Sequence, residues 1–168
     1  SDMADLQIGH PPCPKCEPAA KFLQSDTRCD LTCSEPVVYR NAEDFAEAVR
    51  RWLRDPDRPV LGLGAQWSDS LLWEGILGHC RRIIPLFASP KANPHGCTIF
   101  LSTKASRVGW LEGLPIDNAV VSFTVGPEQL SERFEGMSDV GERVVPALED
   151  RLKAARAVAG MGFEVWWH

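Results

Sequence analysis

No apolar run in this 168-residue chain approaches the ~20 residues that a membrane-spanning helix needs, so no membrane role is expected. Positive charge is in deficit too: 18 Lys and Arg stand against 23 Asp and Glu, a formal net charge of −5. That argues against free-standing, non-specific nucleic-acid binding, which draws on a basic face, and leaves room only for a local basic groove. There is no low-complexity tract and no strict repeat, so a repeat architecture is not expected. No secretory signal precedes the first acidic and polar residues, and a cytoplasmic location is the expectation. What remains is ordinary for a globular protein: 44% hydrophobic residues, 24% charged, and a length that suits one domain with a real core.

Against that background the cysteines stand out. Cys13 and Cys16 form one close pair, Cys29 and Cys33 a second. Four thiolates so close together suffice for a zinc ion or for an iron–sulfur cluster, and in a reducing compartment metal or redox use is expected before disulfides. Spacing alone leaves zinc and iron–sulfur open. His10 is a substitute ligand by type, but a histidine in a Pro-rich stretch is ordinarily just exposed. Cys80 and Cys97 fall on a helix face and at a strand start, where packing is the simpler reading.

Residues 1–35 show no sustained period and read as a loop-rich, Cys-rich segment that a metal would order. Residues 36–168 alternate between strand and helix patterns. A short strand is expected at Pro36–Tyr39. Asn41 is a good cap for a helix over Ala42–Arg54, where Phe45, Val49, Trp52 and Leu53 recur at helical spacing. Val60–Gly64 reads as a buried strand, followed by a helix capped by Ser68 or Ser70 and kinked or ended at Pro85. Further strands are predicted at Cys97–Ser102, Ala119–Val125 and Phe163–Trp167. Helices are predicted near Ala105–Leu111 and through Leu148, Leu152, Ala155 and Ala159. Repeated strand–helix units predict a parallel sheet, with chemistry gathered at the carboxyl ends of its strands. Trp166 and Trp167 alternate across the last strand, one expected in the core and the other lining a site or a dimer interface. The arginines at 50, 51, 54, 151 and 156 read as solvated helix charge.

From Arg28 onward the order of motifs resembles the spore photoproduct lyase-like branch of the radical SAM enzymes. Cys29-x3-Cys33 matches the first two positions of a C-x3-C-x2-C motif. Asn41-Ala-Glu-Asp-Phe45, Arg58-Pro59-Val60 and Gly64-Ala65-Gln66-Trp67-Ser68-Asp69-Ser70-Leu71 follow. Then come Ser102-Thr103-Lys104, Val121-Ser122-Phe123-Thr124-Val125-Gly126-Pro127 and Phe163-Glu-Val-Trp-Trp-His168. The chain departs from the family where Pro36 stands at the third cysteine position and Gln66 at an acidic one, and where a Tyr-rich stretch is absent.

The resemblance implies an α/β fold, a partial (β/α) barrel of parallel strands behind the Cys-rich N-terminal segment. It implies a 4Fe-4S cluster on Cys29 and Cys33 with Cys13 or Cys16, and S-adenosylmethionine (SAM) over Gln66, Ser68, Asp69, Ser70, Lys104 and Ser122. It further implies a 5′-deoxyadenosyl radical that abstracts hydrogen from a small-molecule or nucleotide-like substrate. The rival expectation is a structural zinc site of all four cysteines on a degenerate barrel that works as a binding or assembly module. The open C-terminal edge at Phe163–His168 suggests a homodimer.

Overall fold

A computed structural model describes residues 42–63, 69–71, 74–127, 129 and 145–168. Cys13, Cys16, Cys29 and Cys33, the expected strand at Pro36–Tyr39, the Asn41 cap, Gln66 and Ser68 lie outside the described residues.

Helix α1 spans Ala42–Trp52. Glu43 and Asp44 lie in its first turn and Arg50 and Arg51 in its last, the arrangement that complements the helix dipole. Phe45, Ala46 and Val49 are buried, as is Leu53 just beyond, so one narrow stripe faces the core. Asp55 then ends the turn by accepting from the Asp57 N–H and the Arg58 guanidinium.

Strand β1 is Val60–Leu63. The single helix expected after it is two: α2, Glu74–Leu77, and α3, His79–Ala88. Gly78 separates them in the left-handed region, at φ 63°. Neither Ser70 nor any residue at the usual cap position supplies the side-chain cap; the buried Glu74 carboxylate does, accepting from Cys80 N at 2.8 Å and Arg81 N at 3.0 Å. Pro85 lies inside α3, which runs on to Ala88, so it does not end the helix.

Strand β2 is Thr98–Thr103 and β3 is Ala119–Phe123. Between them, a 3-10 turn at Gly109–Leu111 stands where a longer helix was expected. Helix α4 covers Leu148–Gly160 and leads to strand β4, Glu164–Trp167. Gly162 makes that corner at φ 97°, and a Cβ there would come within 3.2 Å of Ile116. Glycine is the residue such a corner requires.

The four strands form one open, wholly parallel sheet in the order β1-β2-β3-β4. Each connection steps in the same direction, and right-handed crossovers then put the helices on one face. Side chains alternate to match. Leu61, Ile99, Leu101, Val121 and Phe123 share the buried face. Helix α3 packs on β2 and β3, α4 on β3 and β4, and α1 on α3. The opposite face carries Val60, Gly62, Phe100, Ser102, Val120, Ser122, Glu164 and Trp166. Val60, Gly62 and Trp166 are exposed there and Phe100 is half-buried.

Neither tryptophan of β4 joins the core: Trp166 and Trp167 are each 51% exposed, because β4 lies at the edge of the strand order and covers little on either side. Trp166 meets Phe100 edge to face at 5.6 Å, and Trp167 tilts against Phe123 at 6.3 Å. Among the described residues no helix is long and apolar enough to cross a membrane.

Candidate functional site

The register brings the strand ends into rows on the less covered face. Ser102 pairs with Ser122, and Ser122 with Trp166. One step further, Thr124 N bonds Thr103 O at 2.9 Å, His168 N bonds Phe123 O at 3.1 Å and Val125 N bonds His168 O at 2.7 Å. These bonds continue the ladder past the last strand residues, so Lys104, Thr124 and His168 form the outermost row at the carboxyl ends.

His168 is anchored there. Its backbone extends the sheet, and both ring nitrogens are engaged. Ser122 Oγ lies 2.7 Å from Nδ1 and Thr124 Oγ1 lies 2.9 Å from Nε2. Ser122 is 1% exposed and faces this rim, away from the helix-covered side.

Asp69 and Ser70 are drawn onto the end of β2. Asp69 Oδ1 accepts from the Thr103 hydroxyl at 2.7 Å and from Leu71 N at 2.9 Å; Oδ2 accepts from Lys104 N at 2.5 Å. The Ser70 hydroxyl donates to Ser102 O at 2.8 Å. The loop after β1 is thereby stapled to the neighbouring strand, and Asp69, Ser70, Lys104 and Ser122 all stand at the carboxyl-end rim. Gln66 and Ser68, expected beside them, lie outside the described residues.

Behind the rim stands Arg151 of α4, 1% exposed, which overturns its reading as solvated charge. Its Nε donates to Pro146 O at 2.8 Å and its Nη1 to Thr124 O at 3.2 Å. Two donors of its guanidinium thereby serve the carbonyls where β3 ends and α4 begins. Arg50, Arg51, Arg54 and Arg156 are exposed, as expected.

Cys80 and Cys97 are buried free thiols, as the packing reading expects. Burial holds the Cys80 thiol well above its ordinary pKa, and the Glu74 charge, a hydrogen bond to Glu74 and the Asp69 charge push the same way. It is the wrong environment for a thiolate ligand. Among the described residues no group of three or more His, Cys, Asp or Glu is placed to hold a metal ion. The candidate ligands for an iron–sulfur cluster or a zinc ion, Cys13, Cys16, Cys29 and Cys33, lie outside the described residues. On the less covered face the exposed Trp166 ring leans on Phe100 and donates its indole N–H to Glu164 Oε1 at 2.6 Å.

Thr124 and Arg151 were not singled out from the sequence as parts of a site; of Trp166 and Trp167, one was expected to line a site or a dimer interface. Period-two alternation along β3 pairs Thr124 with Ser122 and was legible; the placement of Arg151 depends on how α4 docks and was not. No protein-family model, no curated protein and no solved structure matches the chain.

Proposed function

We propose that the chain is a radical SAM-like protein of the spore photoproduct lyase-like type, its sheet part of a (β/α) barrel and its less covered face the site of an adenosyl ligand. One observation carries the reading. The segments that resemble that family, Asp69-Ser70, Ser102-Thr103-Lys104, Ser122-Phe123-Thr124 and Trp166-Trp167-His168, converge on one rim of a parallel sheet in sequential order. Ligands of parallel α/β sheets bind outside the carboxyl ends of the strands.

In this reading Ser122 backs the site through His168, Thr124 supplies a hydroxyl, Trp166 supplies a ring face, and Lys104 supplies a cation for the carboxylate of SAM. Asp69 shapes the rim by fixing Thr103 and Lys104. Cys29 and Cys33 with Cys13 or Cys16 are the candidate cluster ligands. Such a cluster, when bound and reduced, would supply the electron that cleaves SAM to methionine and a 5′-deoxyadenosyl radical, for hydrogen abstraction from a small-molecule or nucleotide-like substrate. The edge of β4 suits pairing with a second copy, and sedimentation at rising concentration tests that.

A second reading has its own support. The partners named above for the Asp69 and Ser70 side chains all belong to the protein's own loops and strand ends, as in a structural staple. With Pro36 at the third cysteine position, a four-cysteine zinc site on a binding module follows. Metal content and the visible spectrum of oxygen-free protein separate the two. Brown protein with about four irons and a spectrum changed by SAM supports the first reading. Colourless protein with one zinc overturns it and supports the second.

A further inference from the structure

The contact of one imidazole with two hydroxyls has a direction. A neutral histidine ring holds one N–H donor and one lone-pair acceptor. Of Ser122 and Thr124, one must therefore donate to the ring and the other must accept from it. The accepting hydroxyl keeps its own hydrogen for another partner. Ser122 is 1% exposed, and a buried hydroxyl hydrogen without an acceptor is costly. Donating to His168 Nδ1 gives that hydrogen its acceptor. Nε2 then carries the ring proton and donates to Thr124 Oγ1, and the Thr124 hydrogen is the one left over. Thr124 is only half-buried, at the outer row of the rim.

We propose that His168, held as the Nε2–H tautomer by Ser122, is a positioning residue that turns Thr124 into the ligand-facing hydrogen-bond donor of this rim. The ligand it fits carries an acceptor oxygen or nitrogen beside a planar ring that reaches Trp166, as an adenosyl group does. The ligand half of the proposal rests on the adenosyl reading above; the tautomer half does not. Neither hydroxyl contact depends on the cysteines, so the arrangement also operates without a metal.

The test has two arms on the full chain. In the first, 15N NMR of the ligand-free protein reads the His168 side chain. A protonated Nε2 with a lone-pair Nδ1, lost to a tautomer mixture in Ser122→Ala, is the expected result. A protonated Nδ1, or a ring unaffected by Ser122→Ala, overturns the positioning role. In the second, S-adenosylhomocysteine binding is measured by calorimetry, with urea unfolding as the control for folding. Thr124→Val and His168→Ala are each expected to weaken binding roughly threefold to tenfold, and the double variant no more than the larger single. Full affinity in Thr124→Val, or strictly additive losses, overturns Thr124 as the donor that His168 aims. A wild-type protein that ignores S-adenosylhomocysteine overturns the adenosyl reading, and the first arm still decides the tautomer.

Discussion

Glu74 caps a helix to which it does not belong: its Oε2 accepts the backbone N–H of Cys80 at 2.8 Å from a side chain 1% exposed. Its other oxygen takes the Arg81 N–H at 3.0 Å and the Arg81 guanidinium at 3.3 Å. The helix N-terminus supplies partial positive charge, so the buried carboxylate is stabilised by dipole, hydrogen bonds and ion pair together. Glu74→Ala leaves the first turn of α3 without these acceptors inside the protein. The expected loss is about 1–3 kcal/mol in urea unfolding. Glu74→Gln keeps one carbonyl acceptor and should lose less.

Arg151 is a second buried charge whose removal should be felt. Arg151→Met fills much of the volume but leaves Thr124 O and Pro146 O without their donors. A cost of roughly 1–3 kcal/mol in urea unfolding is expected, with Arg151→Lys between methionine and the native residue. The effect should also be local. Amide exchange at Val125 and His168, which zip β3 to the end of β4, should quicken more than exchange at Ile99. Equal quickening everywhere would mean only global destabilisation.

Arg151 and Glu74 also mark where the sequence stopped being readable. Phe45, Val49, Ile83, Ile99 and Val121 declared the core through their periodicity, because burial of apolar stripes is a property of local pattern. Sequential strands with helices between them dictated a parallel sheet for the same reason. A buried charge leaves no such trace: Arg151 lies among Glu149, Asp150 and Lys153 and reads as surface until α4 is docked. Glu74 caps α3 because Gly78 breaks the helix behind it, and a helical pattern running through Ile76 to Phe87 hides that break. At the site, Ser122, Lys104 and Asp69 were legible as strand-end residues. The Ser122–His168 pairing spans 46 positions and depends on register. The tryptophans of β4 were misjudged because alternation assigns faces but not what covers them.

Asp69 offers a test of staple against ligand contact. Its oxygens hold Thr103 Oγ1 and Lys104 N on the next strand end. Asp69→Asn retains an acceptor oxygen and should lose about 1 kcal/mol, whereas Asp69→Ala should lose about 1–3 kcal/mol. The readout is the urea midpoint with no ligand present. A midpoint unchanged in Asp69→Ala would show that the fold does not depend on these bonds.

His79 predicts how stability follows pH. It opens α3, its ring packs on Phe45 of α1 at 5.2 Å, and its buried Nε2 has no hydrogen-bond partner among the described residues. Burial lowers its pKa below the ordinary 6.5, and the nearby Glu74 charge only partly offsets this. Once pH falls below 6.5, the unfolded chain binds a proton at this position that the folded chain resists. Stability therefore holds above that pH and declines as pH falls from there to the lowered native value, below which this contribution changes no further. The salt bridge from Arg82 to Glu43 ties α1 to α3 nearby and is exposed, so it does little to oppose the trend. His79→Phe keeps a ring against Phe45 and removes the titration. Urea midpoints at about pH 7.5 and about pH 5 should differ more for the native protein than for this variant, with the variant the more stable of the two at the acid value. Equal pH dependence in both would assign the acid loss to carboxylates instead.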